Sequence, residues 1–193
     1  RKMKKKILIL AGGYSKERDI SLLTAKSVYK ELKKNKNYKI LVKEPNGSFV
    51  KDLRKFKPQL VLNLLHGRYG EDGYIQSILE SEKVKYTHSG VLSSSLSIDK
   101  EIPKKIFIKN NILTPPYIKF SFKNNFNFKN IIKKIDKYLK FPVVVKPINE
   151  GSSVGVYICT KKNFKNNLMK LEKFKDILIE KYIPGREIQA AIL

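Results

Sequence analysis

Apolar positions along this chain switch repeatedly between short unbroken runs and a spacing of three and four residues. Ile7, Leu8, Ile9 and Leu10 form a run that predicts a buried strand over 7–11. A glycine turn at Gly12 and Gly13 follows. Beyond it Leu22, Ala25, Val28, Tyr29 and Leu32 recur on one helical face, predicting a helix to residue 34. The pattern repeats as strand 39–42, helix 50–56, strand 60–64, helix 74–82, strand 85–87 and a helical link over 92–98. Strands alternating with helices predict a parallel sheet with helices on its faces.

The second half has a different rhythm. Asp99 is placed as the N-cap of a helix to residue 109, with Pro103 near its start. Strand 117–122, helix 128–139, strands 143–146 and 156–159, helix 161–174 and strands 177–181 and 187–193 then give a mixed α+β pattern. The Asn/Lys/Phe-rich connection 120–130 is expected to be mobile, and the last strand to leave an unpaired sheet edge. The chain therefore reads as two domains, 1–98 and 99–193.

Candidate chemistry sits in the turns. In Pro-Val-Val-Val-Lys-Pro-Ile-Asn-Glu-Gly-Ser-Ser-Val-Gly (142–155), Lys146 ends an apolar strand, where its ammonium could reach a phosphate. Gly151, Ser152, Ser153 and Gly155 then remove side-chain bulk, so that backbone N–H groups could approach a polyanion. The order is not that of a Walker loop, in which Lys follows the glycines. The alternative is a Gly/Ser hairpin with a solvated lysine beside it. Two further turns, Ala-Gly-Gly-Tyr-Ser-Lys-Glu-Arg-Asp-Ile-Ser-Leu (11–22) and Leu-His-Gly-Arg-Tyr-Gly-Glu-Asp-Gly (65–73), each link a strand to a helix. In an open α/β sheet such turns converge on one crevice.

These turns, Tyr86-Thr-His-Ser-Gly-Val with Ile98-Asp99-Lys100, the 142–155 segment, and Ile179-Glu180-Lys181-Tyr182 with Gly185-Arg186-Glu187 together resemble the D-alanine–D-alanine ligases of the ATP-grasp superfamily. The resemblance runs in unbroken order from about residue 7 to the last residue. It implies an α/β chain: a Rossmann-like (pre-ATP-grasp) parallel-sheet domain over 1–98, then a partial ATP-grasp α+β subdomain over 99–193. It implies Glu17 as the carboxylate that holds the ammonium of the first D-alanine, with Ser152 as its hydrogen-bonding neighbour; these are the catalytic candidates. Read alone, Glu17-Arg18-Asp19 is a solvated charge run. His66 matches the histidine near the substrate carboxylate, although a lone histidine in such a turn is equally a surface residue.

For ATP, the resemblance implies Lys100 and Lys146 on the phosphates, with Ser152 and Ser153 in the phosphate loop. It implies Glu180, Lys181, Tyr182 and Ile183 against the adenine through backbone polar groups and an apolar contact, and Glu187 on the ribose. His88 stands where many members carry Gly and is read as structural variation near the boundary of the two domains. The implied reaction forms an acyl phosphate on one D-alanine, which the amine of a second then attacks, for peptidoglycan precursor synthesis. Mg²⁺ or Mn²⁺ is the implied metal, with its ligands in a C-terminal half not matched here; the chain alone is expected to be inactive, and the complete enzyme to be a homodimer. Alternatives are another carboxylate–amine or carboxylate–hydroxyl ligase of the superfamily, or a noncatalytic nucleotide- or amino-acid-binding module. Lys146→Ala is expected to weaken ATP binding and leave the thermal midpoint nearly unchanged.

Composition changes this picture little. At 193 residues the chain has enough apolar content for real cores. The formal charge of +24 would ordinarily point to nucleic acid, but 36 of the 41 basic residues are Lys, and Arg is the residue of base and bidentate phosphate recognition. The lysines spread along helical faces and loops and read as solvated surface, with no specific nucleic-acid or membrane partner. No apolar run reaches the length of a membrane span, so a cytoplasmic protein is expected. Cys159, the single cysteine, excludes an internal disulfide, and with two histidines no Cys–His site is expected.

Overall fold

The computed structural model describes residues 4–123, 125–151 and 153–190. They divide into two compact units, Arg1–Ile98 and Asp99–Leu193.

The first unit is built on three parallel strands, β1 (Lys5–Leu10), β2 (Tyr38–Lys43) and β3 (Leu60–Asn63), in the order β2-β1-β3. Its helices are α1 (Arg18–Leu32), α2 (Phe49–Phe56), α3 (Tyr74–Ser81) and α4 (Val91–Ser97). Successive side chains of the central strand point to opposite faces. Leu8 and Leu10 accordingly pack with Phe49, Leu53, Val61 and Leu79, while Ile9 and Ala11 pack with Ala25 and the Leu22, Val28, Tyr29 and Leu32 face of α1. This is why β1 reads as an unbroken apolar run: both of its faces are covered. The expected strand 85–87 is reduced to one parallel bridge, Val61 to Tyr86. The chain leaves the sheet immediately afterwards, because His88 adopts φ 80°, a left-handed conformation that favours glycine.

The second unit begins with α5 (Glu101–Lys109), whose first N–H groups are capped by the Asp99 carboxylate at 2.8 Å from Glu101 N. Four antiparallel strands follow: β4 (Tyr117–Ser121), β5 (Val143–Pro147), β6 (Tyr157–Cys159) and β7 (Asp176–Lys181), in the order β4-β7-β5-β6. One sheet face packs on α6 (Phe128–Tyr138) and α7 (Phe164–Met169) through Ile131, Ile135, Phe164, Leu168, Val143, Val145, Ile177 and Ile179. The alternate residues Val144, Lys146, Leu178 and Glu180 therefore belong to the other face. That alternation positions the charged groups discussed below.

Two expectations are corrected. Helix 161–174 is split into α7 and a 3-10 turn at Glu172–Phe174. Asn163 Oδ1 accepts the Thr160 N–H at 2.8 Å, so the helix starts late, while Phe164, Leu168 and Leu171 keep helical spacing into the core. Within the connection 120–130, Phe122 and Phe126 stack edge-on with Phe120 at 4.8 and 5.1 Å. Of the expected strand 187–193, residues 187–190 are irregular, and Ile188 is 75% exposed; an alternating pattern forms a strand only where a partner strand accepts it. Residues 191–193 lie outside the described residues.

Candidate functional site

In the first unit, the turn after β1 and the turn after β3 are fastened together. Ser21, fully buried on α1, accepts the Gly12 N–H at 2.8 Å and donates to the Leu64 carbonyl at 2.6 Å. Glu44 closes the same corner, accepting from Gly13 N at 3.3 Å and from Arg18 Nη2 at 2.7 Å; the Arg18 guanidinium holds its carboxyl below the usual carboxylate range. Sequence reasoning missed both residues. Ser21 was findable, since it stands one helical turn before Ala25 on the apolar face of α1.

That fastening brings Glu17 beside the 66–73 turn. The space where a Gly67 side chain would begin lies 3.0 Å from Glu17 Oε2, so a glycine there, at φ 66°, lets the carboxylate approach the turn. His66 Nδ1 is 3.8 Å from Glu71 Oε1, and its buried Nε2 has no hydrogen-bond partner. A buried polar nitrogen left unpaired is costly, and a carboxylate or water would satisfy it. Next to this turn is a cavity of about 310 Å³ lined by Asn63, Leu65, Glu71, Gln76, His88 and Ser94 among others. Gln76 donates from Nε2 to the Gly70 carbonyl at 2.9 Å, leaving its Oε1 unpartnered. His88 is exposed, with Nδ1 3.1 Å from Thr87 Oγ1.

In the second unit the β5–β7 register carries the charge cluster. Val144 faces Glu180 directly, which places Lys146 one diagonal step away on the same sheet face. Glu180 Oε2 is 2.6 Å from Lys146 Nζ, and its Oε1 is 2.9 Å from Lys104 Nζ. Lys100 donates to the carbonyls of Ile148, at 3.3 Å, and of Glu150. Burial first, and the nearby Lys146 charge second, push the Lys100 ammonium below its ordinary range. Two ammoniums thus share one buried carboxylate, while a third, Lys100, is held by backbone carbonyls near Lys146. An anion is the group that would relieve Lys100.

The loop itself departs from its sequence reading in one respect. Gly155 has φ 71°, and a side chain there would start 2.8 Å from Leu171 Cδ2 and 3.1 Å from Pro147 Cγ, so this glycine is required by packing. Ser153 is exposed at φ 58°. Ser152 lies outside the described residues.

Farther along, Lys181 N–H donates to the Pro116 carbonyl at 3.0 Å and Tyr182 N–H to the Pro142 carbonyl at 3.3 Å. Both donors are engaged within the protein, so contact of these two residues with a base would run through carbonyls and side chains. The Glu180 residue is 7% exposed and its side chain is ion-paired, which leaves its backbone for any contact with a base. Ile183, 57% exposed, and Glu187 are at the surface. Among the described residues no three His, Cys, Asp or Glu side chains gather as a metal site, and no helix is long and apolar enough to cross a membrane.

Known proteins resemble this chain in sequence and fold. A family model described as the D-ala D-ala ligase C-terminus matches residues 106–193. The D-alanine–D-alanine ligase of Pelagibacter ubique (strain HTCC1062) is 63% identical over 191 residues, covering 99% of this chain and 62% of that protein. The crystal structure of D-alanine–D-alanine ligase from Bacillus anthracis superposes with a TM-score of 0.79 at 37% identity, over 94% of this chain and 58% of that one. A structure of D-alanine–D-alanine ligase from Bacillus anthracis complexed with ATP gives a TM-score of 0.77 at 33% identity, covering 94% of this chain and 60% of that one. The chain spans about three fifths of the length of the curated relatives it matches. The mixed α/β fold, with one parallel and one antiparallel sheet, agrees with these structures. On these matches, the chain is similar over nearly its whole length to D-alanine–D-alanine ligases, and its second half matches the family model of their C-terminus.

Proposed function

We propose that this chain provides the nucleotide-phosphate grip and the first amino-acid subsite of an ATP-dependent D-alanine–D-alanine ligase acting in peptidoglycan precursor synthesis. The first unit is its pre-ATP-grasp domain and the second its central ATP-grasp subdomain. The observation that carries the reading is the crowding of Lys100 and Lys146, whose like charges are held together next to a Gly/Ser loop. The names of the relatives and the ATP complex of one of them support it.

In this reading Lys100, Lys146, Ser152 and Ser153 neutralise and seat the phosphates, which is most of what phosphoryl transfer asks of a protein. Tyr182 and Ile183 flank the adenine, with the Glu180 and Lys181 carbonyls at its edge, and Glu187 accepts from the ribose. Glu17 receives the ammonium of the first D-alanine and His66 Nε2 donates to its carboxylate. Holding that amino acid still is what aligns its carboxylate for phosphorylation and its acyl phosphate for attack by the second amine. Magnesium belongs to the reaction, and the described residues do not form a site for it. The working enzyme is a cytoplasmic homodimer.

The test is phosphate release from ATP with and without D-alanine, by this chain joined to the remaining part of the Pelagibacter relative. D-alanine-dependent release, lost in Glu17→Gln, supports the reading. A folded hybrid that is silent, or one that keeps D-alanine dependence without Glu17, contradicts it.

A further inference from the structure

Lys104 belongs to none of the roles assigned above, yet it is only 6% exposed. Its Nζ is 2.9 Å from Glu180 Oε1 and 2.7 Å from Thr114 Oγ1, and 5.3 Å from the centre of the Tyr117 ring. Tyr117 is itself the direct partner of Glu180 across β4 and β7. The ammonium is thus fixed by a carboxylate, a hydroxyl and an aromatic face. A buried cation of this kind is a poor device for stability alone, because an apolar side chain of similar volume serves as well or better. Its charge therefore asks for another explanation.

The explanation is in how Glu180 divides its two oxygens, one to Lys104 and one to Lys146 at 2.6 Å. Were Lys104 uncharged, both oxygens would turn to Lys146 and neutralise it. An incoming phosphate would then have to compete with the whole carboxylate for that ammonium. Lys104 on α5 also sits four residues beyond Lys100, the N-cap residue of that helix, so one end of the helix supplies a phosphate contact and the group that protects another.

We propose that Lys104 is a positioning residue of the nucleotide site: it retains half of the Glu180 carboxylate and so keeps Lys146 available to phosphate. This rests on the reading of Lys146 as a phosphate contact, and two readouts separate the claims.

The first readout needs no nucleotide. Amine acylation of the intact chain by an acetylating ester, followed by mass spectrometry, reports how available each lysine is. In Lys104→Met, Lys146 should be acylated several-fold more slowly than in the unaltered chain, while exposed Lys162 is unchanged. Lys104→Met leaves Glu180 its Lys146 partner; should the variant nonetheless fail to fold, Thr114→Val loosens Lys104 and should slow Lys146 acylation in the same direction. Equal acylation of Lys146 in the folded variant and the unaltered chain overturns the positioning role.

The second readout is protection of Lys146 by ATP. The Lys104→Met chain should need on the order of tenfold more ATP, the strength of one charge-assisted contact. In a Lys146→Met background, with protection read at Lys100, the same change should cost nothing further. An added loss there would show that Lys104 acts elsewhere and overturn the proposal. Absence of ATP protection in the unaltered chain would instead sink the nucleotide reading, with the first readout still deciding the place of Lys104.

Discussion

Glu180 Oε2 lies 2.6 Å from Lys146 Nζ because β5 and β7 run antiparallel with Val144 opposite Glu180, one diagonal step from Lys146. The sequence alone suggests that Lys146→Ala would spare stability. The structure says otherwise, since the substitution strips one cation from a buried carboxylate.

With Lys104 still paired to Glu180, Lys146→Ala should cost about 1–3 kcal/mol. For a chain of this size each kcal/mol lowers the melting temperature by about 2–4 °C. Calorimetry of the two proteins checks this, and an unchanged midpoint would mean that Glu180 does not depend on Lys146.

Gly155→Ala should destabilise by roughly 1–3 kcal/mol, from the left-handed backbone and from overpacking. Leu171, which the new methyl would meet, is 1% exposed and has nowhere to move. Urea midpoints measure the loss. A neutral result would return Gly155 to the role the sequence suggests, a close approach to phosphate.

Glu101 gives a pH-dependent contribution of known sign. Lys105 first and Lys119 next, each hydrogen-bonded at 2.8 Å, hold its carboxyl below the ordinary 4.5. A carboxyl with a lowered folded value stabilises fully above its unfolded value and loses that contribution as pH falls through the folded one. Glu101→Gln should therefore cost about 1 kcal/mol at pH 7 and nothing in strong acid, where both proteins are uncharged at this position. Denaturation curves at the two pH extremes decide it; a cost that persists in acid would assign Glu101 a packing role.

Lys100 gives the opposite kind of titration. Burial and Lys146 lower its ammonium below 10.5 in the free protein, and a bound phosphate would raise it again. Between those values binding should take up protons and weaken as pH climbs. Calorimetric titration with inorganic triphosphate in two alkaline buffers of different ionisation enthalpy reads the uptake. Proton-neutral binding there would remove Lys100 from the anion site.

Much of this was legible in the chain because period and chemistry coincide. The face Leu22, Ala25, Val28, Tyr29 and Leu32 and the runs of β1 and β3 carry their own spacing, and the glycine turns mark the segments after the strands that carry Glu17 and His66. What stayed hidden depends on long-range register. Nothing in the order of residues 104, 146 and 180 says that two strands and a helix bring them within 3 Å. Glu44 is hidden for the same reason, reaching Arg18 from the end of the neighbouring strand β2. The expected strand 187–193 shows the reverse failure, in which residues 187–190 have the apolar pattern without a partner strand.

The proposed ligase reading depends on Lys146 as a phosphate contact and on Glu17 as the partner of the D-alanine ammonium. Its most direct test is D-alanine-dependent phosphate release by the hybrid with the Pelagibacter relative, comparing the unaltered protein, Lys146→Ala and Glu17→Gln. The account predicts that Lys146→Ala raises the ATP requirement at unchanged D-alanine dependence, and that Glu17→Gln leaves ATP binding intact while abolishing the response to D-alanine. Full D-alanine-dependent release by both folded variants would contradict it.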